Sequence, residues 1–185
     1  MSQFHIAVIV GSLRKDSFNR QLATALALLA PADFHLTQLR LDDLPLYNQD
    51  DDGQQAAPVL RLKSEIQAAQ GLLFVTPEYN RSIPGVLKNA IDHASRPYGQ
   101  NAWAGKPAGV LGVSVGAIGT ALAQQHLRNV LVFVDLAVMP QPEAFVQFKD
   151  GLIEADGTIS NDGTRQFLQG YVDKFLAWTE HQLKA

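Results

Sequence analysis

The sequence predicts a doubly wound three-layer α/β sandwich, a five-stranded parallel sheet with helices on both faces. Three observations carry that expectation. Apolar runs of strand length alternate with helical spacings along all 185 residues. The third run, Leu72-Leu73-Phe74-Val75-Thr76, is apolar without alternation, as in a strand covered on both sides. Polar, glycine-bearing turns stand where strands feed helices. No repeat, low-complexity tract or linker interrupts the order, so one domain over residues 1–185 is expected.

The first strand, Phe4 to Val10, precedes a helix with Leu22, Ala25, Leu26 and Leu29 on one face before Pro31. Phe34, Leu36 and Leu39 mark a second strand. A loop rich in Asp and Gln, Leu41 to Pro58, leads to a helix carrying Val59, Leu62, Ile66 and Ala69, with Gly71 expected as its C-terminal cap. Asp50, Asp51 and Asp52 in that loop lack His or Glu at ligand spacing and read as a solvated cluster. After the central third strand come a helix with Leu87, Ala90, Ile91 and Ala94, a fourth strand from Ala108 to Val115, and a helix with Ala123, Leu127, Val130 and Leu131. A fifth strand is expected near Ala137 to Val146, at an edge because Pro140 and Pro142 interrupt it. After a turn around Asp150 to Gly157, the last helix presents Phe167, Leu168, Tyr171, Val172, Phe175 and Trp178 as a core stripe.

Composition narrows the chemistry. With 46% hydrophobic and 18% charged residues and a net charge of −3, the chain has no electrostatic reason to bind nucleic acid. The absence of cysteine excludes a thiol nucleophile, a CxxC redox pair and thiolate metal ligands, so any redox chemistry belongs to a cofactor. No basic leader and no apolar run of bilayer length is present, which predicts a cytoplasmic protein without a membrane partner. His93 and His126 lie on expected helices without partners at ligand spacing and read as structural or surface residues, as do His5, His35 and His181.

Ligands of such sheets bind at the carboxyl ends of the strands. The turn after the first strand, Gly11-Ser12-Leu13-Arg14-Lys15-Asp16-Ser17-Phe18-Asn19, gathers hydroxyls, an amide, a guanidinium and helix N–H groups suited to a phosphate dianion, and so to a nucleotide or flavin. An ordinary helix cap at Ser17 is the bland alternative. After the third strand, Pro77-Glu78-Tyr79-Asn80-Arg81-Ser82-Ile83-Pro84-Gly85 holds more polar and aromatic chemistry than a connector needs. After the fourth, Ser114-Val115-Gly116-Ala117-Ile118-Gly119 has two glycines that let backbone approach a flat ring, or that simply make a tight turn. No Gly-Lys-Ser/Thr follows Gly11, which argues against an NTPase, and the nearest dinucleotide fingerprint, Ser114-x-Gly116-x-x-Gly119, lacks its first glycine. Gly112-Val113-Ser114-Val115-Gly116 matches a hydrolase elbow, for which Asp135 or Glu143 and His181 would complete a triad. Trp103, beside Pro97-Tyr98-Gly99, is left between a place at the cofactor edge and one in a subunit contact.

Gly-Ser-Leu-Arg-x-x-Ser-Phe-Asn from Gly11, Pro-Glu-Tyr-Asn from Pro77 and Ser-Ile-Pro-Gly-Val-Leu-Lys-Asn-Ala-Ile-Asp from Ser82 together resemble the NADPH-dependent FMN reductase family, which includes bacterial quinone and chromate reductases. The resemblance runs from Ile6 to about Glu143 and implies a flavodoxin-like fold with noncovalent FMN. It implies that the turn of Gly11, Ser12, Arg14, Ser17, Phe18 and Asn19 receives the FMN phosphate, held by Ser12, Arg14, Ser17 and Asn19. Pro77, Glu78, Tyr79 and Asn80 would flank the ring and ribityl chain, and Ser114 and Gly116 would close the other side. Glu78 is expected to hydrogen-bond the cofactor or a neighbouring subunit rather than act as a base, and Tyr79 to lie beside the ring. Arg81 departs from the aromatic or histidine associated with its place and is assigned to the pyridine nucleotide. With the flavin carrying the chemistry, no protein acid or base is required: NADPH or NADH gives hydride to FMN, and a quinone, free flavin, azo compound or oxidised metal takes the electrons in a ping-pong cycle. The alternative is an electron carrier or flavin-binding regulatory module; the mild balance of 18 acidic against 15 basic residues favours the enzyme. Val86 and Ile91, and Leu122 and Leu131, place apolar residues on more than one side of the third and fourth helices, and family members form oligomers, so a homodimer or homotetramer is expected.

Overall fold

A computed structural model describes residues 4–184. The order is β1 (Phe4–Val10), α1 (Phe18–Leu29), β2 (Phe34–Gln38), α2 (Ala57–Ala68), β3 (Gly71–Val75), α3 (Gly85–Ala94), β4 (Pro107–Ser114), α4 (Ala121–Phe133), β5 (Ala137–Val138), β6 (Ala144–Gln147) and α5 (Asp162–Gln182). All strand pairs are parallel, in the spatial order β2-β1-β3-β4-β5, with β6 also beside β4. The apolar runs lack alternation because each face has its own cover. Ile6, Val8 and Val10 of β1 pack toward α1 and α5, whereas Ala7 and Ile9 pack toward α2, α3 and α4. All five residues of β3 are buried, as a central strand requires. β1 is joined through α1 to β2 on one side and pairs with β3 on the other, so the chain reverses its direction of winding between β1 and β3 and opens a crevice at their carboxyl ends.

Four expectations are corrected. The fifth strand is split: Pro140 and Pro142 cannot donate to a ladder, so β5 and β6 form on either side of them, each against β4. Gly71 caps no helix but opens β3; a Cβ there would meet Ile6 Cδ1 and Thr179 Cγ2 at 2.9 Å, so close packing of α5 requires glycine. Phe167 is 48% exposed, one helical step out of the stripe made by Leu168, Tyr171, Val172 and Phe175. Ile91 and Leu131 are buried in the core and contribute nothing to a surface patch; the exposed apolar residues at the end of α4 are Val132 and Phe133.

Candidate functional site

Three loops meet at the carboxyl edge of the sheet, after β1, β3 and β4. Gly11 N–H donates to Val75 O at 2.9 Å, which ties the first loop to the end of β3. Ser17 then caps α1, its Oγ accepting from Arg20 N–H at 3.3 Å. The N–H groups of Phe18 and Asn19, at the first two helical positions, have no acceptor among the described residues, as the start of a helix dictates. Arg14 lies over the Phe18 side chain, its guanidinium carbon 4.9 Å from the ring centre. Phe18 stacks in turn on Phe148, with ring centres 3.6 Å apart and planes 18° from parallel. Ser12 is buried beside them. A guanidinium, a hydroxyl and two unpaired N–H groups at a positive helix end therefore share one small region.

The loop after β3 is a miniature hairpin. Tyr79 and Ser82 exchange backbone N–H···O bonds, both 3.0 Å, around Asn80 and Arg81. Those two residues have φ of 52° and 62°, the positive pair that a tight type I′ turn demands. The hairpin is pinned to α4 at both ends. Glu78 Oε2 accepts from Leu122 N–H and Ala123 N–H, each at 3.0 Å, and supplies the cap that Thr120 does not. The Ser82 hydroxyl lies 3.0 Å from His126 Nδ1.

In the loop after β4, the Ser114 hydroxyl donates to Gly119 O at 2.6 Å and accepts from Gly116 N–H at 3.2 Å. A Cβ on Gly116 would meet only Ser114 Oγ, at 3.5 Å, so the space over this backbone is open. Gly112 differs: its Cβ would lie 2.0 Å from Thr76 O, and this close approach brings the end of β4 against the start of the loop after β3.

Several expected ligands have structural duties. Asn19 donates through Nδ2 to Val113 O at 2.8 Å and accepts at Oδ1 from Val113 N–H at 3.0 Å, so its amide straps α1 to β4 instead of facing a phosphate. The Glu78 carboxylate, expected on a cofactor or neighbouring subunit, caps α4. The Ser114 hydroxyl is committed within its own loop. Trp103 is neither at this edge nor on the surface: it is fully buried, with Nε1–H donating to Ile91 O at 3.0 Å. Phe148, which positions Phe18 and through it Arg14, escaped the sequence reading because no local signal marks a residue that stacks on one 130 positions away.

The hydrolase reading fails on distance. His181 follows Thr179, which touches Gly71 at the start of β3, whereas Ser114 ends the 8-residue β4. The two lie at opposite edges of the sheet, about 20 Å apart or more.

The edge fits FMN. It offers unpaired donors at Phe18 and Asn19, in the same loop as Arg14, for a phosphate, and open backbone at Gly116 for a flat ring. Its three loops also carry exposed apolar side chains, Leu13, Tyr79, Val115 and Ile118, exposed by 52%, 49%, 68% and 56%. Residues 4–151 match the NADPH-dependent FMN reductases. The chain belongs to the NADPH-dependent FMN reductase family. It is accordingly an oxidoreductase that works with FMN and NAD(P)H, which sets aside the electron-carrier reading, and its sandwich is flavodoxin-like. A 2-hydroxy-1,4-benzoquinone reductase of Burkholderia sp is 54% identical over 94% of both chains. A quinone reductase of Pseudomonas putida is 50% identical over 97% of both. Among solved structures, the flavoenzyme NAD(P)H:(acceptor) oxidoreductase FerB of Paracoccus denitrificans is 49% identical, spans 97% of this chain and 98% of its own, and superposes with a TM-score of 0.93.

Proposed function

We propose that this chain is a quinone reductase that uses FMN at the carboxyl edge of its sheet, with NAD(P)H as donor and a substituted 1,4-benzoquinone as acceptor. The observation that carries the reading is the pair of unpaired N–H groups at Phe18 and Asn19 in the loop whose Arg14 guanidinium lies over the Phe18 ring, with exposed apolar side chains in all three loops. Bound FMN supplies the redox chemistry, taking hydride from the nicotinamide and returning reducing equivalents to the quinone.

The residues divide the remaining work. Ser12, Arg14 and Ser17, with the free N–H groups of Phe18 and Asn19, hold the phosphate; Gly11 seats their loop against β3 through its own N–H, and the Phe18–Phe148 stack supports Arg14. Pro77, Tyr79 and Asn80 border the ring on one side, and the backbone around Ser114 and Gly116 borders it on the other. Asn19 and Glu78 contribute by position: one locks α1 to β4, the other locks the hairpin to α4. Arg81 reaches the phosphates of the pyridine nucleotide. The exposed Tyr79, Val115 and Ile118 border one apolar mouth, so nicotinamide and quinone occupy it in turn, which yields ping-pong kinetics.

Residues 4–184 form one FMN-binding domain in this reading. No described helix is long and apolar enough to cross a membrane, and the reaction draws on the pyridine nucleotides of the cytoplasm, where we place it. Val132 and Phe133 at the end of α4 supply the contact between copies in a dimer or tetramer. The test is a visible spectrum of purified protein with added FMN, recorded under argon before and after NADPH and then after 1,4-benzoquinone. Bound yellow flavin that bleaches with NADPH and recovers with the quinone is expected; protein that retains no FMN refutes the reading.

A further inference from the structure

Beside the flavin edge, a second cleft of about 290 Å³ lies between the carboxyl ends of β1 and β2. Ser12 and Leu13 wall it on one side, Arg20 of α1 on another, and Gln38, Arg40 and Asp42 on the third. Its charges are unequal. Arg40 Nε donates to Asp42 Oδ1 at 2.7 Å and Nη2 to Oδ2 at 3.4 Å, so their charges balance while the carboxylate keeps lone pairs to spare. Arg20 has no ion pair among the described residues and is the cation in excess. The Arg40 hydrogen bonds, with the nearby Arg20 charge adding to them, hold the Asp42 carboxyl below the usual carboxylate range. Gln38 braces the wall by donating to Thr24 Oγ1 at 3.2 Å, and Leu13 offers an exposed apolar surface. A ligand that matches all of this carries an anion for Arg20, hydroxyl or amino donors for Asp42, and a flat face for Leu13.

We propose that this cleft receives the adenosine end of NADPH, with Arg20 recognising its 2′-phosphate. The inference rests on the FMN reading of the neighbouring edge, because that edge fixes where the nicotinamide arrives. From the loops after β3 and β4, the cleft is displaced by about two strand spacings, roughly 10 Å, toward β2. A dinucleotide laid along the edge of the sheet with its nicotinamide at the mouth carries its other nucleotide that way, past Arg14, to the cation without a partner. Asp42 then accepts from a ribose hydroxyl or the adenine amino group, and Leu13 lies against the base. Arg20 is a specificity residue in this arrangement, since NADH lacks the group it meets.

The test uses 2′,5′-ADP and 5′-AMP, which carry no reducing equivalents, titrated calorimetrically into the FMN-loaded protein. The diphosphate is expected to bind about tenfold tighter than 5′-AMP, and Arg20→Ala to erase most of that difference while Arg20→Lys retains part of it. In steady state, Arg20→Ala raises KM for NADPH about tenfold and leaves KM for NADH and both kcat values unchanged. Equal affinity of parent and Arg20→Ala for 2′,5′-ADP overturns the proposal, as does an equal rise in KM for NADH. The same titration on FMN-free protein separates the two readings: 2′,5′-ADP binding that depends on Arg20 supports the cleft even where FMN is not retained.

Discussion

The two edges of the sheet are built to opposite rules. At the amino edge, polar groups find partners within the chain: Lys106 Nζ donates to Gln67 O and Ala69 O at 3.0 and 2.7 Å, closing the end of α2. There Trp178 Nε1–H donates to Ala137 O at 2.9 Å, and Gly71 is packed tight against Thr179. At the carboxyl edge, the first N–H groups of α1 stay unpaired and four large apolar side chains face outward. The donors named at the amino edge close on carbonyls of the chain, whereas the first N–H groups of α1 are left free for the ligand we propose.

Substitutions at the two edges should separate binding from stability. The largest effect is expected from Arg14→Ala, which raises the FMN dissociation constant about 10- to 100-fold, following the worth of charge-assisted bonds. Unfolding of the FMN-free protein should change by less than about 0.5 kcal/mol, as for an exposed site; fluorescence titration and urea melts read the two quantities. Lys106→Ala should invert this pattern, costing about 1–3 kcal/mol in urea unfolding by leaving two carbonyls without a donor and leaving FMN affinity unchanged. Glu78→Ala crosses the categories, since the carboxylate both caps α4 and anchors the hairpin. It should cost about 1–2 kcal/mol and slow flavin reduction in stopped flow, while FMN affinity moves little. The smallest effect is expected for Arg81→Gly, which relieves a positive φ and stabilises the fold by up to about 1 kcal/mol. It should raise KM for NADH and NADPH alike, in contrast to Arg20→Ala; a selective rise for NADPH would move the 2′-phosphate to the hairpin.

The order of elements was legible because burial on two faces leaves strands such as Leu72 to Val75 uniformly apolar, and because Ser17, Pro84 and the glycines punctuate the turns. The three polar turns that meet at the carboxyl edge were legible for a related reason: their side chains exceed what turns alone require. What stayed hidden were partnerships across the chain. Asn19 looks like a phosphate ligand until Val113, 94 positions away, occupies its amide. Glu78 looks like a cofactor contact until the start of α4, 44 positions away, takes its carboxylate. The split of the last strand was half visible, since Pro140 and Pro142 announce the break but not that both halves remain beside β4.

The hairpin after β3 is fastened at Glu78 and at Ser82, with Asn80 and Arg81 spanning the gap between the fasteners. That makes the dipeptide an exchangeable cartridge: its two side chains can be swapped for others that tolerate the turn without unseating the frame around them. Natural or laboratory diversification of the acceptor range has its least disruptive foothold there.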